Sequence, residues 1–255
     1  MTEVMERDRS STTRSGPPFF AATWALLRKD IRLETRTRDT LPPMIAFGIT
    51  VSLLLAFSLP GAGQAPHAIV RTPLGTVPLN DVLSGFFWIT VLFAGFISFA
   101  RTFETERAEG AIDSLLTAAL DRSAIFLSKA VANLCYVALV QVVLVPVFLV
   151  LWNVNLASGW PVFLLVTLLV DVGFTGIGTL FAALAAQTRS RELMLPILAL
   201  PVLVPVFIAA VELTASLWAG AGTSAVTSGG WFGILIGFDV VFVTIGFVAF
   251  DYAVD

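Results

Sequence analysis

The sequence predicts an all-α polytopic membrane protein: six transmembrane helices, an amphipathic helix at the membrane surface before the first, and a further cytoplasmic helix in the second gap. Three observations carry this. Hydrophobic residues make up 57% of the chain and charged residues 13%, against about 25% charged in globular domains, and the mean hydropathy is +0.89. Continuous apolar runs fill the stretch from Met44 to Phe250, most of them near the roughly 20 residues that a helix needs to cross about 30 Å of hydrocarbon. Basic residues avoid every second gap between the runs.

The runs place spans at about Met44–Pro60, Val82–Ala100, Ser128–Trp152, Trp160–Ala186, Leu193–Trp218 and Trp231–Phe250. Pro42 and Pro43 mark the start of the first, which is short. Lipid offers the backbone no hydrogen-bond partners, so the spans are expected to be helices. A β-barrel would alternate apolar and polar residues, and these runs do not.

The charges orient the bundle. Eight basic residues precede the first span: Arg7, Arg9, Arg14, Arg28, Lys29, Arg32, Arg36 and Arg38. Arg101, Arg107, Arg122 and Lys129 belong to the second gap, and Arg189 and Arg191 to the fourth. Only Arg71 lies on the other side, so the split is fourteen to one. The positive-inside rule then puts both termini in the cytoplasm. Trp152, Trp160, Trp218 and Trp231 fall at the expected outer ends, where aromatic belts sit. The net charge of −3 and the lack of a basic face outside the membrane-proximal segment argue against nucleic acid. The lone Cys135 lies inside a span and permits no disulfide within the chain. The polar first residues are not those of a cleavable signal.

The expected organisation is a disordered cytoplasmic tail over 1–17, an interfacial helix over 18–41 and a six-span domain over 42–255. In the interfacial helix, Phe20, Trp24, Leu27 and Ile31 recur at i, i+4, i+7 and i+11, while Arg28, Lys29, Arg32 and Arg36 take other faces. That pattern suits a helix lying in the membrane surface, as a lipid anchor or as an elbow that moves. In the second gap, over about 102–120, Ala108, Ala111, Ile112, Leu115, Leu116, Ala119 and Leu120 keep a helical period. Glu106, Glu109 and Asp113 form an acidic strip beside that face. Anionic lipid repels such a strip, so either a partner with a basic and apolar surface meets it or it is a solvated helix face.

The order of these features resembles ABC-type exporter permeases. The motif reads Glu106, Gly110, Ile112, Asp113 and Leu115, with Lys129 at the start of the next span. More narrowly, the chain resembles the cytochrome c maturation permease or heme exporter protein B (CcmB) family, over about Leu26 to Phe250. Further matching residues are Gly85 and Trp88; Arg122, Ile125, Phe126, Lys129 and Asn133; and Arg189, Arg191 and Glu192 ahead of Leu200, Pro201 and Pro205. Ala119, Asp121 and Ser84 stand where the family commonly has prolines, and the outer loop from Gly61 to Asp81 is long.

The resemblance implies a non-catalytic permease subunit in the bacterial cytoplasmic (inner) membrane. It implies an ATPase partner subunit docked on Glu104, Glu106, Glu109, Gly110, Ile112, Asp113, Leu115 and Leu116, and work with heme-handling membrane subunits and a heme chaperone. ATP use would drive heme export, heme handling or release of the loaded chaperone. A homodimer is expected, because an ABC ATPase pairs two nucleotide-binding subunits with two membrane halves; the first and fifth spans are interface candidates by family analogy.

The chain's own residues agree with a division of labour. With only Lys29 and Lys129 as lysines, it has no Gly-Lys-Ser/Thr phosphate loop, so ATP and Mg would be bound by another chain. There is no His/Cys cluster of metal spacing, and His67 is alone in the outer loop. No cofactor is expected to be bound directly by this chain, and heme would be handled by the wider complex.

No Lys or Arg lies inside the three spans that hold Asp171, Glu212 and Asp239. A charge in hydrocarbon costs at least about 2.5–3.5 kcal/mol, so such groups are expected to be protonated, to be paired or to face a polar cavity; Asp171 reads equally as a relay or a structural hydrogen bonder, and hydration near the outer surface is an alternative for Glu212. They make a proton-coupled secondary transporter the alternative function, although no inverted repeat supports it. Another ABC-type exporter permease and a non-transporting membrane scaffold are further alternatives. Pro146, Pro196, Pro201 and Pro205 interrupt helix ladders, and Gly173, Gly176, Gly178 and the Gly233-x-x-x-Gly237 pair are read as packing devices.

Overall fold

The computed structural model describes residues 18–59, 69–72, 75–103, 122–154, 156, 159–186 and 191–253. Its elements are helix α1 (Phe19–Thr37), helix α2 (Leu41–Ser58), strands β1 (Ile69–Thr72) and β2 (Gly75–Pro78), and helices α3 (Leu79–Arg101), α4 (Arg122–Trp152), α5 (Trp160–Ala186), α6 (Arg191–Trp218), α7 (Thr223–Thr227) and α8 (Gly230–Ala253). The protein is an all-α polytopic membrane protein. Among the described residues, α2 to α6 are each long and apolar enough to cross a membrane, and α8 carries a shorter apolar stretch over Gly230–Gly246. The first five expected spans overlap α2 to α6 and the sixth falls on α8; the third of these helices, α4, is longer than expected, beginning at Arg122.

Pro42 and Pro43 lie inside the first turn of α2 rather than before it. The missing proline N–H costs nothing there, because the first turn has no intrahelical acceptors. Pro146 stays within α4, and Pro196, Pro201 and Pro205 within α6. The connection between α2 and α3 contains an element not expected from the sequence, an antiparallel pairing of β1 and β2 with Val70 opposite Val77 and Arg71 opposite Thr76. Gly75 supports the turn with a φ of 137°.

Helices α3 and α5 form the centre: two thirds of their apolar windows are buried, against 17% for α2. α5 packs on α6 and α8, α3 on α6 and α4, while α1 and α2 lean on α4. Glycines bring the central pair together. A Cβ on Gly95 would enter the Phe174 ring, and one on Gly178 the Phe99 ring; those two rings meet edge to face at 4.9 Å. Gly233 and Gly237 behave differently. Both are exposed, and a Cβ on either would meet open space, so this pair packs no helix among the described residues.

The tryptophans expected at the outer ends carry a second correction. Trp160 and Trp231 are exposed, as an aromatic belt requires, but Trp152 and Trp218 are buried. They close over Phe148, Trp152 at 4.8 Å and Trp218 at 6.4 Å between ring centroids, and Phe87 packs edge to face on Phe148 at 5.3 Å. Ring-to-ring contact within the bundle captures these two indoles in place of the lipid interface.

Candidate functional site

The polar chemistry gathers at the end of the bundle that the charge pattern assigns to the cytoplasm. α1 turns one face to the protein, with Ala22, Thr23, Leu27 and Glu34 buried. Leu27 thus leaves the expected lipid-facing stripe, while Phe20, Trp24 and Ile31 remain exposed. Asp30 continues the inward face and pairs with Lys129 of α4, at 2.9 Å through Oδ2 and 3.1 Å through Oδ1. Tyr136, two turns further along α4, donates to the Asp30 carbonyl at 3.3 Å. The sequence reading singled out Lys129 but not its partner.

Glu34 organises the elbow between α1 and α2. Its carbonyl accepts the N–H of Arg38, which takes the left-handed conformation that ends α1. Its buried carboxylate accepts N–H groups from Thr40 at 3.1 and 3.2 Å and from Leu41 at 2.7 Å. A carboxylate at a helix N-terminus satisfies orphan donors and complements the helix dipole. One side chain therefore fixes the angle at which α2 leaves α1.

Lys129 also lies 6.0 Å from the ring centroid of Phe103, just past the end of α3. Beneath them Ile125, Phe126, Leu180 and Ala183 form a small apolar cluster of their own, with Leu26 of α1 and Phe103 packed against it. The last described residue before the second gap and the first turn of α4 after it are thus tied to each other and to α1. The proposed docking residues Glu104, Glu106, Glu109, Gly110, Ile112, Asp113, Leu115 and Leu116 lie outside the described residues, as do 1–17 and His67.

One turn deeper, Asn133 joins three helices. Its Oδ1 accepts from Ser98 at 2.7 Å and from Thr102 at 3.1 Å, and its Nδ2 donates to Thr179 at 3.0 Å. Toward the opposite end of the bundle, Trp88 Nε1 donates to Thr214 at 2.9 Å, giving the Gly85-x-x-Trp88 motif a role in fastening α3 to α6.

The three intramembrane carboxylates do not form one group. Asp171 is buried and accepts from Gln141 Nε2 at 2.8 Å. Asp239 is buried on α8, against the bare backbone of Gly173 on α5, and neither of its oxygens has a hydrogen-bond partner among the described residues. Glu212 is exposed on α6, in line with exposed Pro201, Val204 and Ile208; Pro205 is half-buried. In α1, Trp24, Arg28, Lys29 and Arg32 are all exposed. No group of three or more His, Cys, Asp or Glu able to hold a metal occurs among the described residues.

The comparisons with known proteins match this layout along nearly its whole length. The family model described as CcmB protein matches residues 21–255. The chain is similar to heme exporter protein B of Rhodobacter capsulatus, 32% identical over 190 residues that cover 74% of this chain and 80% of the relative. It is also similar to heme exporter protein B of Paracoccus denitrificans (29% identical, covering 77% and 84%) and of Bradyrhizobium diazoefficiens (26% identical, covering 87% and 92%). With its motifs, helices and match agreeing from α1 onwards, the chain belongs to the CcmB protein family.

Proposed function

We propose that the protein is the membrane permease subunit of an ATP-binding-cassette complex acting in cytochrome c maturation. A separate subunit hydrolyses ATP, with its Mg, and this chain couples the hydrolysis to heme export, heme handling or release of a heme-loaded chaperone. The name of its relatives, heme exporter protein B, supports the cargo. The observation that carries the coupling is the convergence of α1, the end of α3 and the start of α4 on Asp30, Phe103 and Lys129. Phe103 and the start of α4 flank segment 104–121, and Asp30 joins them to α1, so a force applied there reaches α1, α3 and α4 together.

In this reading Ile112, Leu115 and Leu116 insert into a groove of the ATPase, as amphipathic helices do, with Glu106, Glu109 and Asp113 facing basic residues at its rim. The protein is multi-pass in the bacterial cytoplasmic membrane, with six spans and both termini inside. Two copies assemble with the ATPase and with the heme-handling membrane subunits and chaperone. Exposed Phe57 on α2 and Ile197, Val204 and Ile208 on α6 support the pairing, and Glu212 on the same α6 face is a group that lipid alone cannot satisfy. A native mass showing one copy per active complex would exclude the pair. Co-purification of the ATPase with wild type and with I112D/L116D tests the docking.

A proton-coupled transporter is the second reading, favoured by the unpartnered carboxyl of Asp239. Proton flux through the isolated chain in liposomes, lost in D239N, would support it over ATP coupling.

A further inference from the structure

We propose that the outer face of α1 binds anionic phospholipid headgroups, so that the bilayer's own acidic lipid, rather than a protein, covers this helix. α1 has three faces. One, formed by Thr23, Leu27, Asp30 and Glu34, turns to the protein. The next holds Phe20, Trp24 and Ile31, which are 80%, 66% and 37% exposed. The third holds Arg28, Arg32 and Arg36, all exposed.

The charge distribution selects the occupant. α1 contains two acidic residues, Asp30 and Glu34. Asp30 is drawn inward to Lys129, and Glu34 is buried on the N-terminus of α2. Sequestering both acids leaves an outer surface of guanidinium groups beside aromatic and aliphatic side chains. The hydroxyls of Thr35 and Thr37 are turned back on their own helix, bonded to the carbonyls of Arg32 and Leu33. An apolar band next to a cationic band suits the boundary between acyl chains and phosphate, where Trp and Phe settle at headgroup depth and Arg meets the phosphodiester. The short elbow from Arg38 to Thr40, held by Glu34, connects α1 directly to a span and so keeps it at that boundary. A soluble partner would have to cover Phe20 and Trp24 against competition from acyl chains.

The test uses the full-length protein in detergent, incubated with phosphatidylglycerol or phosphatidylcholine of matched chains, and reads retained lipid by native mass spectrometry. Each basic residue near an anionic surface strengthens association about fivefold. Wild type is therefore expected to retain phosphatidylglycerol in preference, and R28Q/R32Q/R36Q to lose at least about tenfold of that preference. R28K/R32K/R36K, which keeps the charge, is expected to stay near wild type and controls for damage to the helix. Equal retention of the two lipids by wild type would overturn the proposal, as would undiminished preference in the glutamine variant. Displacement of phosphatidylglycerol by millimolar inorganic phosphate would mark a soluble-phosphate site and overturn it too. The readout involves no ATPase, so it stands or falls separately from the docking reading.

Discussion

Lys129 and Asp30 lie 99 positions apart and meet as an ion pair at 2.9 Å, both side chains about nine-tenths buried. An exposed pair would contribute about 0–1 kcal/mol. Here each charge is out of water, so removing one strands the other, at a cost of about 3–5 kcal/mol. K129M should therefore lower the midpoint of thermal unfolding in detergent markedly, and D30N/K129M should recover much of the loss. If the double variant is as unstable as the sum of the singles, the two side chains do not act as a pair.

The Asn133 node makes a milder prediction. Its three bonds join α3, α4 and α5, and hydrogen bonds between membrane helices average well below 2 kcal/mol each. N133A should cost about 1–2 kcal/mol in reversible unfolding, and T179V less than N133A. A neutral N133A would show that the helices are held there by packing alone.

Glycines of one type should separate into two behaviours. G178A forces a methyl group into the Phe99 ring, and overpacking costs about 1–3 kcal/mol. G85A and G237A meet open space and should be neutral or stabilising, since alanine is favoured over glycine in helices by up to about 1 kcal/mol. Unfolding midpoints of the three variants check the contrast; a tolerant Gly178 would contradict the close approach of α3 and α5.

Orientation is testable at the outer hairpin. Thr76 in β2 and Thr37 at the end of α1 are both exposed, and the fourteen-to-one charge split puts them on opposite sides. In a C135A background, T76C should react with an impermeant thiol reagent on intact cells, and T37C only after the membrane is opened. Reversed labelling would invert the topology.

The spans were legible because a helix crosses hydrocarbon only where it is long and continuously apolar, and such a run stands out in sequence. Lys129, Asn133 and Trp88 were also marked by family resemblance before their partners were known. Asp30 and Glu34 were hidden because a helix with strong basic and aromatic faces draws attention to those faces. The available signal was the line Thr23, Leu27, Asp30, Glu34, at i, i+4, i+7 and i+11, which is less apolar than the stripe beside it. Trp152 and Trp218 misled for another reason: a tryptophan at the end of a span reads the same whether lipid or a neighbouring ring receives it, and only the approach of Phe148 decides. The β1–β2 hairpin is too short, at four residues a strand, for alternation to stand out from a loop.

The central claim is that segment 104–121 is where the ATPase takes hold, with Asp30, Phe103 and Lys129 anchoring its base. The most direct measurement is the amount of ATPase subunit that co-purifies with the full-length protein from membranes. Burying one Leu or Ile is worth about 1.5–3 kcal/mol, so I112D/L116D should reduce recovery by orders of magnitude while the protein stays inserted in the membrane. Reversing Glu106 and Glu109 should weaken binding only modestly and in a salt-dependent way. ATPase recovered with I112D/L116D at the wild-type level would contradict the account.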